Sequence, residues 1–263
     1  MSLEQLKAEL SKALAGFQGS IAYAIYDGDG CIAMNAGQRM KAASTIKLPL
    51  LLMAFRLYEQ GRLDIHREIP FTDLDIVPGS GVLQSMKQRS IRLEDALSLM
   101  ITVSDNTATN LVIDAIGLDR CKDGFRDIGL KTASLQRKMM DYEGREAGKE
   151  NWISAEDLIV SLKRIQNEGS FSEESRKAMR EMLINQQFRD KLPYLIDENL
   201  IAVANKTGEI EGVENDCAIF FYKNHVLYAA VLCGNLKKEG EGQRIIRHIG
   251  DKIGKYLLAK DAM

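Results

Sequence analysis

The spacing of hydrophobic and polar residues predicts a helix and then a β-hairpin at the amino-terminal end of the chain. Apolar residues recur at helical intervals through about residue 15, and Gly16 ends that segment. The run Ser20–Tyr26 predicts a strand. The Asp-Gly-Asp-Gly stretch at residues 27–30 predicts a turn into a return strand at residues 31–35.

The pattern near the carboxyl-terminal end predicts the reverse order, strands followed by a helix. Residues 200–205, 217–222 and 226–232 are β-rich runs, and a short polar turn at residues 223–224 joins the last two. Residues 243–258 predict an amphipathic helix.

Between these ends, from about residue 42 to residue 187, nearly every periodic segment predicts a helix. We therefore predict an α+β fold. Residues 1–41 and 188–263 are expected to form one lobe, an antiparallel sheet with terminal helices, and residues 42–187 an inserted helical lobe. The boundary between the lobes is the expected place for an active site.

The charge balance narrows the class of partner. The chain has 263 residues, with 35 Lys and Arg against 37 Asp and Glu, and a formal net charge of -2. Nucleic acids and anionic membranes call for a basic face, so we expect neither as a partner. The longest apolar stretches, residues 48–55 and 226–233, are too short to span a bilayer. We expect a monomer that acts on a small molecule.

The amino terminus and the cysteines add two expectations. The first ten residues lack the basic and apolar regions of a signal peptide, which predicts a cytoplasmic protein, or an exported one if a leader has been removed. The four cysteines form no Cys-x-x-Cys pair, so we expect neither a metal nor another cofactor. Cys217 and Cys233 lie in strand-like runs, where buried thiols are expected and a bridge between the two is the alternative.

One candidate for chemistry lies at the start of a helix predicted over residues 45–60. Ser44 and Lys47 are three positions apart and so share a helix face. A lysine whose pKa is lowered by desolvation can take the proton of a serine and make it a nucleophile. The alternative is a capping serine followed by a surface lysine. However, the residues after Lys47 are apolar almost all round the helix, which indicates burial.

Two further triplets are ordinary when each is taken alone. Ser-Asp-Asn at residues 104–106 lies between helices predicted at residues 93–103 and 107–116, where such residues usually cap helices. Lys-Thr-Gly at residues 206–208 follows a predicted strand and is typical of a strand end.

In this order, Ser-x-x-Lys, Ser-Asp-Asn and Lys-Thr-Gly are the motif set of class A β-lactamases and penicillin-binding proteins. The chain resembles this family along almost its whole length. Residues 99–111 are very similar to the corresponding helix of class A enzymes, and residues 43–47 and 61–64 are similar too. The resemblance implies the serine β-lactamase-like fold and a serine hydrolase that cleaves β-lactam amide bonds through an acyl-enzyme.

The resemblance also implies catalytic roles. Ser44 is the expected acylated nucleophile, and Lys47 is its proton acceptor or relay. Ser104 is expected to pass the proton to the leaving nitrogen. Asn106 is expected to orient Lys47 and to bind the amide side chain of the substrate. A second lysine in the cleft, Lys206, is a physical reason to expect a neutral Lys47, since each positive charge lowers the pKa of the other.

The third motif is implied to bind substrate. Lys206 and Thr207 are expected to contact the substrate carboxylate by charge and by a hydroxyl group, with Gly208 beside them. The resemblance places the oxyanion hole at the backbone N–H groups of Ser44 and Glu209.

The chain departs from the class A pattern at the deacylation base. Class A enzymes carry a Glu-x-x-x-Asn pair after Ser-Asp-Asn, and counting from Ser104 puts that glutamate at or near Met139 and Met140. Asp141 and Glu143 are candidate replacements, against the alternative of a solvated charged loop. If the base is absent, acylation proceeds while deacylation is slow.

A second departure follows Lys-Thr-Gly. Glu209 stands where a small residue is usual, Glu211 and Glu214 come next, and no arginine lies on the following strand. Acidic side chains at the site repel a carboxylate, so this stretch predicts a neutral or amine-bearing substrate; the alternative is that these side chains point to solvent.

Two other functions stay open at this point. One is a penicillin-binding-protein-like peptidase or esterase that deacylates β-lactams poorly. The other is a catalytically silent binding module, although a silent site has no physical need for two lysines and two serines.

Overall fold

The computed structural model describes residues 1–28, 30–167 and 169–260. Asp29 of the predicted turn and the last three residues of the predicted sheet lobe lie outside the described residues. The strands described are β1 (Ser20–Tyr26), β2 (Cys31–Met34), β3 (Met40–Lys41), β4 (Glu68–Pro70), β5 (Ser90–Arg92), β6 (Trp152–Ile153), β7 (Ala202–Ile210), β8 (Val213–Tyr222) and β9 (His225–Gly234). The helices are α1 (Leu3–Ala13), α2 (Lys47–Glu59), α3 (Leu93–Thr102), α4 (Asn106–Ile116), α5 (Leu118–Asp127), α6 (Tyr142–Glu146), α7 (Ala155–Gln166), α8 (Glu173–Ile184) and α9 (Glu241–Ala259).

The centre of the described fold is a five-stranded antiparallel sheet in the order β2-β1-β9-β8-β7. Side chains alternate between its two faces, and helices cover both, so β8 and β9 are buried along nearly their whole length. The strand β7 lies at the edge of this sheet, with one side free of strand partners among the described residues. Two short ladders, β3 with β6 and β4 with β5, lie outside the sheet.

Two hydrophobic cores lie on opposite faces of the sheet. One face packs on α1 and α9, through residues such as Ile25, Phe220 and Ile249. The other face packs on α7 and continues into the larger core of the helical segments around α2. Almost every residue of α2 is buried, which explains why it is apolar on all sides. In the described ranges, neither α2 nor any other helix is long and apolar enough to cross a membrane.

The predicted α+β architecture is confirmed, with a sheet from both ends of the chain and helices inserted between. The predicted helix over residues 45–60 differs at its start. The chain first makes a 3₁₀ turn at Ala43–Ile46, and α2 begins only at Lys47. Pro49 then lies in the first turn of α2, where a missing backbone N–H costs no helical hydrogen bond.

The extent of β7 corrects the prediction of a strand over residues 200–205. The strand runs from Ala202 to Ile210, so the Lys-Thr-Gly motif lies inside it and not at its end. Glu209 and Glu214 face each other across the ladder, a pairing that repulsion would disfavour. The repulsion is relieved because Glu209 forms an ion pair with Lys191, while Glu214 accepts a hydrogen bond from the backbone of α9.

All four cysteines are free thiols, and the alternative of a bridge between Cys217 and Cys233 is wrong. Cys217 belongs to the core under the helical segments, whereas Cys233 belongs to the core under α1 and α9. The two side chains therefore point to opposite faces of the sheet, and no disulfide can join them.

A buried carboxylate joins α7 to the segment before β6, and its loss should be costly. Asp157, 1% exposed, accepts hydrogen bonds from the backbone N–H groups of Lys131, Thr132 and Ala133 at 2.8, 2.9 and 2.7 Å. We expect Asp157→Ala to lower the free energy of unfolding by about 3–5 kcal/mol, because three backbone N–H donors lose a buried charged acceptor. Urea denaturation measures this.

The matched control is Glu156→Ala, which removes the neighbouring carboxylate and its solvent-exposed ion pair with Lys131. We expect this variant to lose less than about 1 kcal/mol. Equal losses for the two variants would contradict the structural role given to Asp157.

Candidate active site

Three segments far apart in the sequence meet beside Ser44. They are the 3₁₀ turn that carries Ser44 and leads into Lys47, the segment between α3 and α4 that carries Ser104, and the strand β7 that carries Lys206. Lys47 and Lys206 both lie within hydrogen-bond distance of the Ser104 hydroxyl, at 3.0 and 3.1 Å. All three predicted motifs are thus in contact.

The turn that carries Ser44 is held in an unusual backbone conformation. Ala43 has φ of +47°, in the left-handed region that non-glycine residues seldom adopt. The carbonyl oxygen of Ala42 accepts from the Thr45 hydroxyl at 2.6 Å and from the Asn215 side-chain amide at 3.1 Å. Asn215 lies on β8 and is fully buried, so the central sheet fixes the turn.

Gly208 lets β7 come close to the same turn. A Cβ atom at this position would lie 3.0 Å from the backbone nitrogen of Ser44 and 2.9 Å from that of Thr45. A side chain here would therefore push the strand away from the nucleophile. The glycine of Lys-Thr-Gly is required by this close approach.

Lys47 is completely buried. In the contacts that the structure describes, the partners of its amino group all belong to the Ser-Asp-Asn segment. Its Nζ lies 2.7 Å from the carbonyl oxygen of Ser104, 3.0 Å from the Ser104 hydroxyl and 3.0 Å from Oδ1 of Asn106. Burial, and then the positive charge of Lys206, lower the pKa of Lys47 well below its ordinary value, while Asp105 opposes them. The amino group is therefore suited to accept a proton.

Ser104 is presented by a strained backbone that the surrounding loop supports. Its φ is +53°, again in the left-handed region. The next residue, Asp105, caps α4 by accepting from Ala108 N at 2.8 Å and also accepts from the backbone of Val82 and Leu83 at 2.7 and 2.9 Å. The helix cap and the loop together fix the position of the Ser104 hydroxyl.

Lys206 is the second buried amine of the site. Its Nζ donates to the Ser104 hydroxyl at 3.1 Å and to the carbonyl oxygen of Thr207 at 2.8 Å. Burial lowers the pKa of Lys206 to about 7, with Cys217 and Asp216 opposing the shift and Lys191 adding to it. Burial also raises the pKa of Asp216 to about 6. Near neutral pH, Lys206 thus exchanges readily between its charged and neutral forms.

Alternation along β7 gives the site two sides. Lys206 and Gly208 point toward the helical segments, and Thr207 and Glu209 point to the other face, where Lys191 lies. A cavity of about 680 Å³ on this side is lined by Ser44, Ser104, Thr207, Gly208 and Glu209, together with the buried Lys191. Of the predicted substrate-binding residues, Thr207, Gly208 and Glu209 thus share this cavity with the predicted nucleophile, whereas Asn106 lines a second cavity and Lys206 lines neither.

A second cavity, of about 340 Å³, lies on the other side of Ser44, and Met139 lines it. Asn110 fixes the backbone at Met139 with two hydrogen bonds, accepting from Met139 N at 2.8 Å and donating to Met139 O at 3.1 Å. Asp141 also lines this cavity, but its Oδ1 caps α6 by accepting from Gly144 N at 2.8 Å. Glu143 is exposed on α6 and does not line the cavity. Of the two candidate deacylation bases, the structure brings only Asp141 near Ser44.

Sequence reasoning missed three features of the site. Asn110 had a signal, because it lies one helical turn after Asn106 and shares its face of α4. The buried ion pair between Arg137 and Glu150, at 2.8 Å, closes the segment that contains Met139 and joins residues with no recognisable pattern. Lys191 lies in the irregular segment between α8 and β7, where no periodicity marks burial.

The acidic residues after Lys-Thr-Gly are mostly engaged within the protein. Glu209 pairs with Lys191 at 2.8 Å, and Glu214 is 6% exposed and accepts from the backbone N–H of Gln243 at the start of α9. Glu209 and Glu211 are both exposed, whereas Glu214 is buried. In the described ranges, no group of three or more His, Cys, Asp or Glu side chains is placed to hold a metal ion.

The sequence as a whole agrees with this arrangement. A sequence profile of the beta-lactamase enzyme family matches residues 4–257. The chain belongs to this family. The family explains the order of the three motifs and their convergence at one serine.

Relatives within the beta-lactamase family are distant in sequence. The chain is 28% identical over 162 residues to beta-lactamase CARB-3 of Pseudomonas aeruginosa, covering 60% of this chain and 56% of that enzyme. The alignment thus spans little more than half the length of that relative. A beta-lactamase of Bacillus licheniformis is 25% identical over 214 residues, covering 80% of this chain and 69% of that enzyme.

Solved structures extend the likeness to the full fold. The beta-lactamase from Sphaerobacter thermophilus is 31% identical, with a TM-score of 0.88 over 98% of both chains. PBP-A has the same TM-score of 0.88 over 99% of this chain and 97% of its own, at 24% identity. An ancestral class A beta-lactamase has a TM-score of 0.87 at 21% identity. The last two show the fold alone.

The burial of Lys206 predicts a specific dependence of stability on pH. Its pKa is about 7 in the folded protein against 10.5 for an ordinary lysine, so between these values the unfolded chain binds the extra proton. Lys206 therefore makes stability rise with pH across this window. Lys206→Met removes the effect, so the stability of the variant relative to the parent should fall by roughly 2 kcal/mol or more from pH 7 to pH 10.

Denaturant unfolding at several pH values measures this difference. Lys237→Met, which removes an exposed lysine that lines the same cavity, controls for the loss of a cation. A difference between parent and Lys206→Met that does not change with pH would contradict the lowered pKa.

Proposed function

We propose that this protein is a serine hydrolase that cleaves β-lactam amide bonds through an acyl-enzyme on Ser44. The observation that carries the proposal is the contact of Lys47 and Lys206 with a single hydroxyl, that of Ser104, in the cavity that Ser44 lines. Two buried amines in contact with one hydroxyl, at a cavity that Ser44 also lines, form the part of a proton path that leads away from the nucleophile. Proton transfer along such a path is what acyl transfer to a serine needs.

The acylation step follows from these contacts. Neutral Lys47 takes the proton of Ser44, whose Oγ attacks the lactam carbonyl carbon. Backbone N–H groups of Ser44 and Glu209 stabilise the negative charge on the carbonyl oxygen. When the carbon–nitrogen bond breaks, the proton held by Lys47 passes through the Ser104 hydroxyl to the leaving nitrogen. Charged Lys206 polarises that hydroxyl.

No glutamate stands at the place where the resemblance expects the deacylation base, which favours a second candidate function. Water must attack the ester carbonyl of the acyl-enzyme so that Ser44 regains its proton. At the place where the resemblance expects the base, two methionines, Met139 and Met140, line the cavity. This supports a protein that is acylated readily and deacylated slowly, as in a penicillin-binding protein. Of the two carboxylates predicted to replace the deacylation glutamate, only Asp141 lines this cavity, so Asp141 is the candidate base.

The proposed partner is a small molecule, a β-lactam or another acyl amide or ester. Among solved structures of the same fold, a variant of PBP-A is an acyl-enzyme complex with penicillin G. The fold thus has room for a penicillin attached to a protein. The expectations of a monomer and of its compartment stay predictions.

The nucleophile is tested directly by adduct formation. On incubation with a penicillin, the intact mass of the protein should increase by the mass of the intact β-lactam, and Ser44→Ala should abolish this increase. Ser80→Ala removes another hydroxyl from the wall of the same cavities and should still form the adduct. The proposal fails if the protein with Ser44 takes up no β-lactam.

The missing base is tested at position 139. Met139→Glu should speed deacylation by about 10²–10³-fold, because a carboxylate at that wall can activate water. Met139→Gln has the same shape without the base and should leave deacylation slow. Decay of the adduct by mass spectrometry and turnover of a chromogenic cephalosporin measure both. Rapid turnover by the parent protein that Asp141→Asn abolishes would instead assign the base to Asp141.

A further inference from the structure

The ion pair between Lys191 and Glu209 is unequal in its exposure to solvent. The Nζ of Lys191 lies 2.8 Å from Oε2 of Glu209, yet the Lys191 side chain is 2% exposed and the Glu209 side chain is 57% exposed. Both residues line the cavity that contains Ser44 and Thr207. Glu209 can therefore move into water at little cost, whereas Lys191 cannot follow it.

The other carboxylates near Lys191 are already engaged. Asp216 accepts from Leu192 N at 2.9 Å and from the side-chain amide of Asn205 at 3.1 Å. Asp190 and Glu214 both accept from Gln243 at the start of α9. Within the part of the chain that the structure describes, Glu209 is the acid in ion-pair distance of Lys191. If Glu209 turns away, a buried ammonium faces the cavity without a counter-charge, which is costly.

The Glu209 carboxylate occupies a position beside Lys191 that a group of a bound ligand could also occupy. Glu209 is two residues after Thr207 on the same strand face, and its backbone N–H is the proposed oxyanion donor. A ligand acylating Ser44 would place its other groups along this face of β7, next to Lys191. An anion on such a ligand would meet Lys191 at the point that the Glu209 carboxylate now occupies.

Resting on the function proposed above, we propose that Lys191 is the cation that binds the carboxylate of the substrate and that Glu209 is an internal carboxylate displaced on binding. Glu209 then competes with the substrate carboxylate for Lys191 and does not exclude that carboxylate by charge repulsion. The substrate class is one with a carboxylate two or three bonds from the reacting amide, as in a bicyclic β-lactam. This differs from the neutral or amine-bearing substrate that the acidic run predicts.

The two interpretations give opposite results for Glu209→Gln. Removal of a competing carboxylate strengthens binding of an anionic ligand, whereas removal of an amine-binding acid would not favour anions over neutral ligands. Benzylpenicillin and its methyl ester form a matched pair of probes, because they differ only in the charge of the carboxylate. The ratio of their dissociation constants isolates that charge.

Binding is measured by calorimetry in the full chain carrying Ser44→Ala, where no acylation follows. In this background, Glu209→Gln should increase the preference for benzylpenicillin over its ester about three- to tenfold. Lys191→Met should decrease the preference at least about tenfold. The effect of Glu209→Gln should vanish once Lys191 is Met, since the two substitutions act on one interaction.

Two control variants remove the same charges at the same cavity without touching the ion pair. Glu211→Gln and Lys237→Met change exposed residues of its wall and should alter the preference less than about twofold. Circular dichroism and thermal melting verify that Lys191→Met is folded. Should it not fold, Glu209→Gln alone decides the question.

The inference is overturned if Glu209→Gln leaves the preference unchanged or lowers it, or if folded Lys191→Met retains it. It is also overturned if neither penicillin binds the Ser44→Ala protein. Failure of the proposed function has a different signature, which is the absence of a covalent adduct in the parent protein although the carboxylate preference is present.

Discussion

The site depends on a lysine that is completely buried in the protein. Lys47 begins α2, a helix enclosed by the core, so the partners of its amino group must come from the protein. They come from Ser104 and Asn106, and Ser104 takes a strained backbone conformation to supply both its carbonyl and its hydroxyl. Packing of the hydrophobic core thereby creates the electrostatic condition for a neutral base. The lowered pKa of Lys47 is thus a consequence of its burial at the start of the apolar helix α2.

The central sheet positions the turn before Ser44 and the second lysine of the site, Lys206. Asn215 on β8 fixes the turn before Ser44, and Gly208 on β7 lets that strand come within contact of the same turn. Lys206 then reaches Ser104 from the side opposite Lys47. Two buried amines in contact with one hydroxyl reduce stability, because each would be better solvated in the unfolded chain. Such a site persists only because the two cores on either side hold it.

Local patterns in the sequence predicted the fold well where burial follows a simple period. The strand β1 was predicted with the bounds observed, and the helices around the Ser-Asp-Asn motif differ by one residue at an end. The prediction failed where a tertiary contact neutralises a polar side chain. The Lys-Thr-Gly motif was interpreted as the end of a strand over residues 200–205, yet β7 continues to Ile210 and Glu209 within it pairs with Lys191. Lys191 itself was beyond prediction, since nothing local distinguishes a buried lysine in an irregular segment from an exposed one.

The two half-reactions of a serine hydrolase are separable in this fold. The groups proposed for acylation are joined to one another and to both cores, so a change in one disturbs the rest. Position 139 is different. Asn110 holds it through its backbone N–H and carbonyl, and neither contact involves the side chain. The Met139 side chain is 8% exposed and packs in the core of the helical segments, and it also lines the cavity beside Ser44. The groups proposed for acylation are therefore fixed by contacts among their side chains, whereas the position proposed for the deacylation base is fixed by hydrogen bonds of its backbone, which a different side chain would also leave in place.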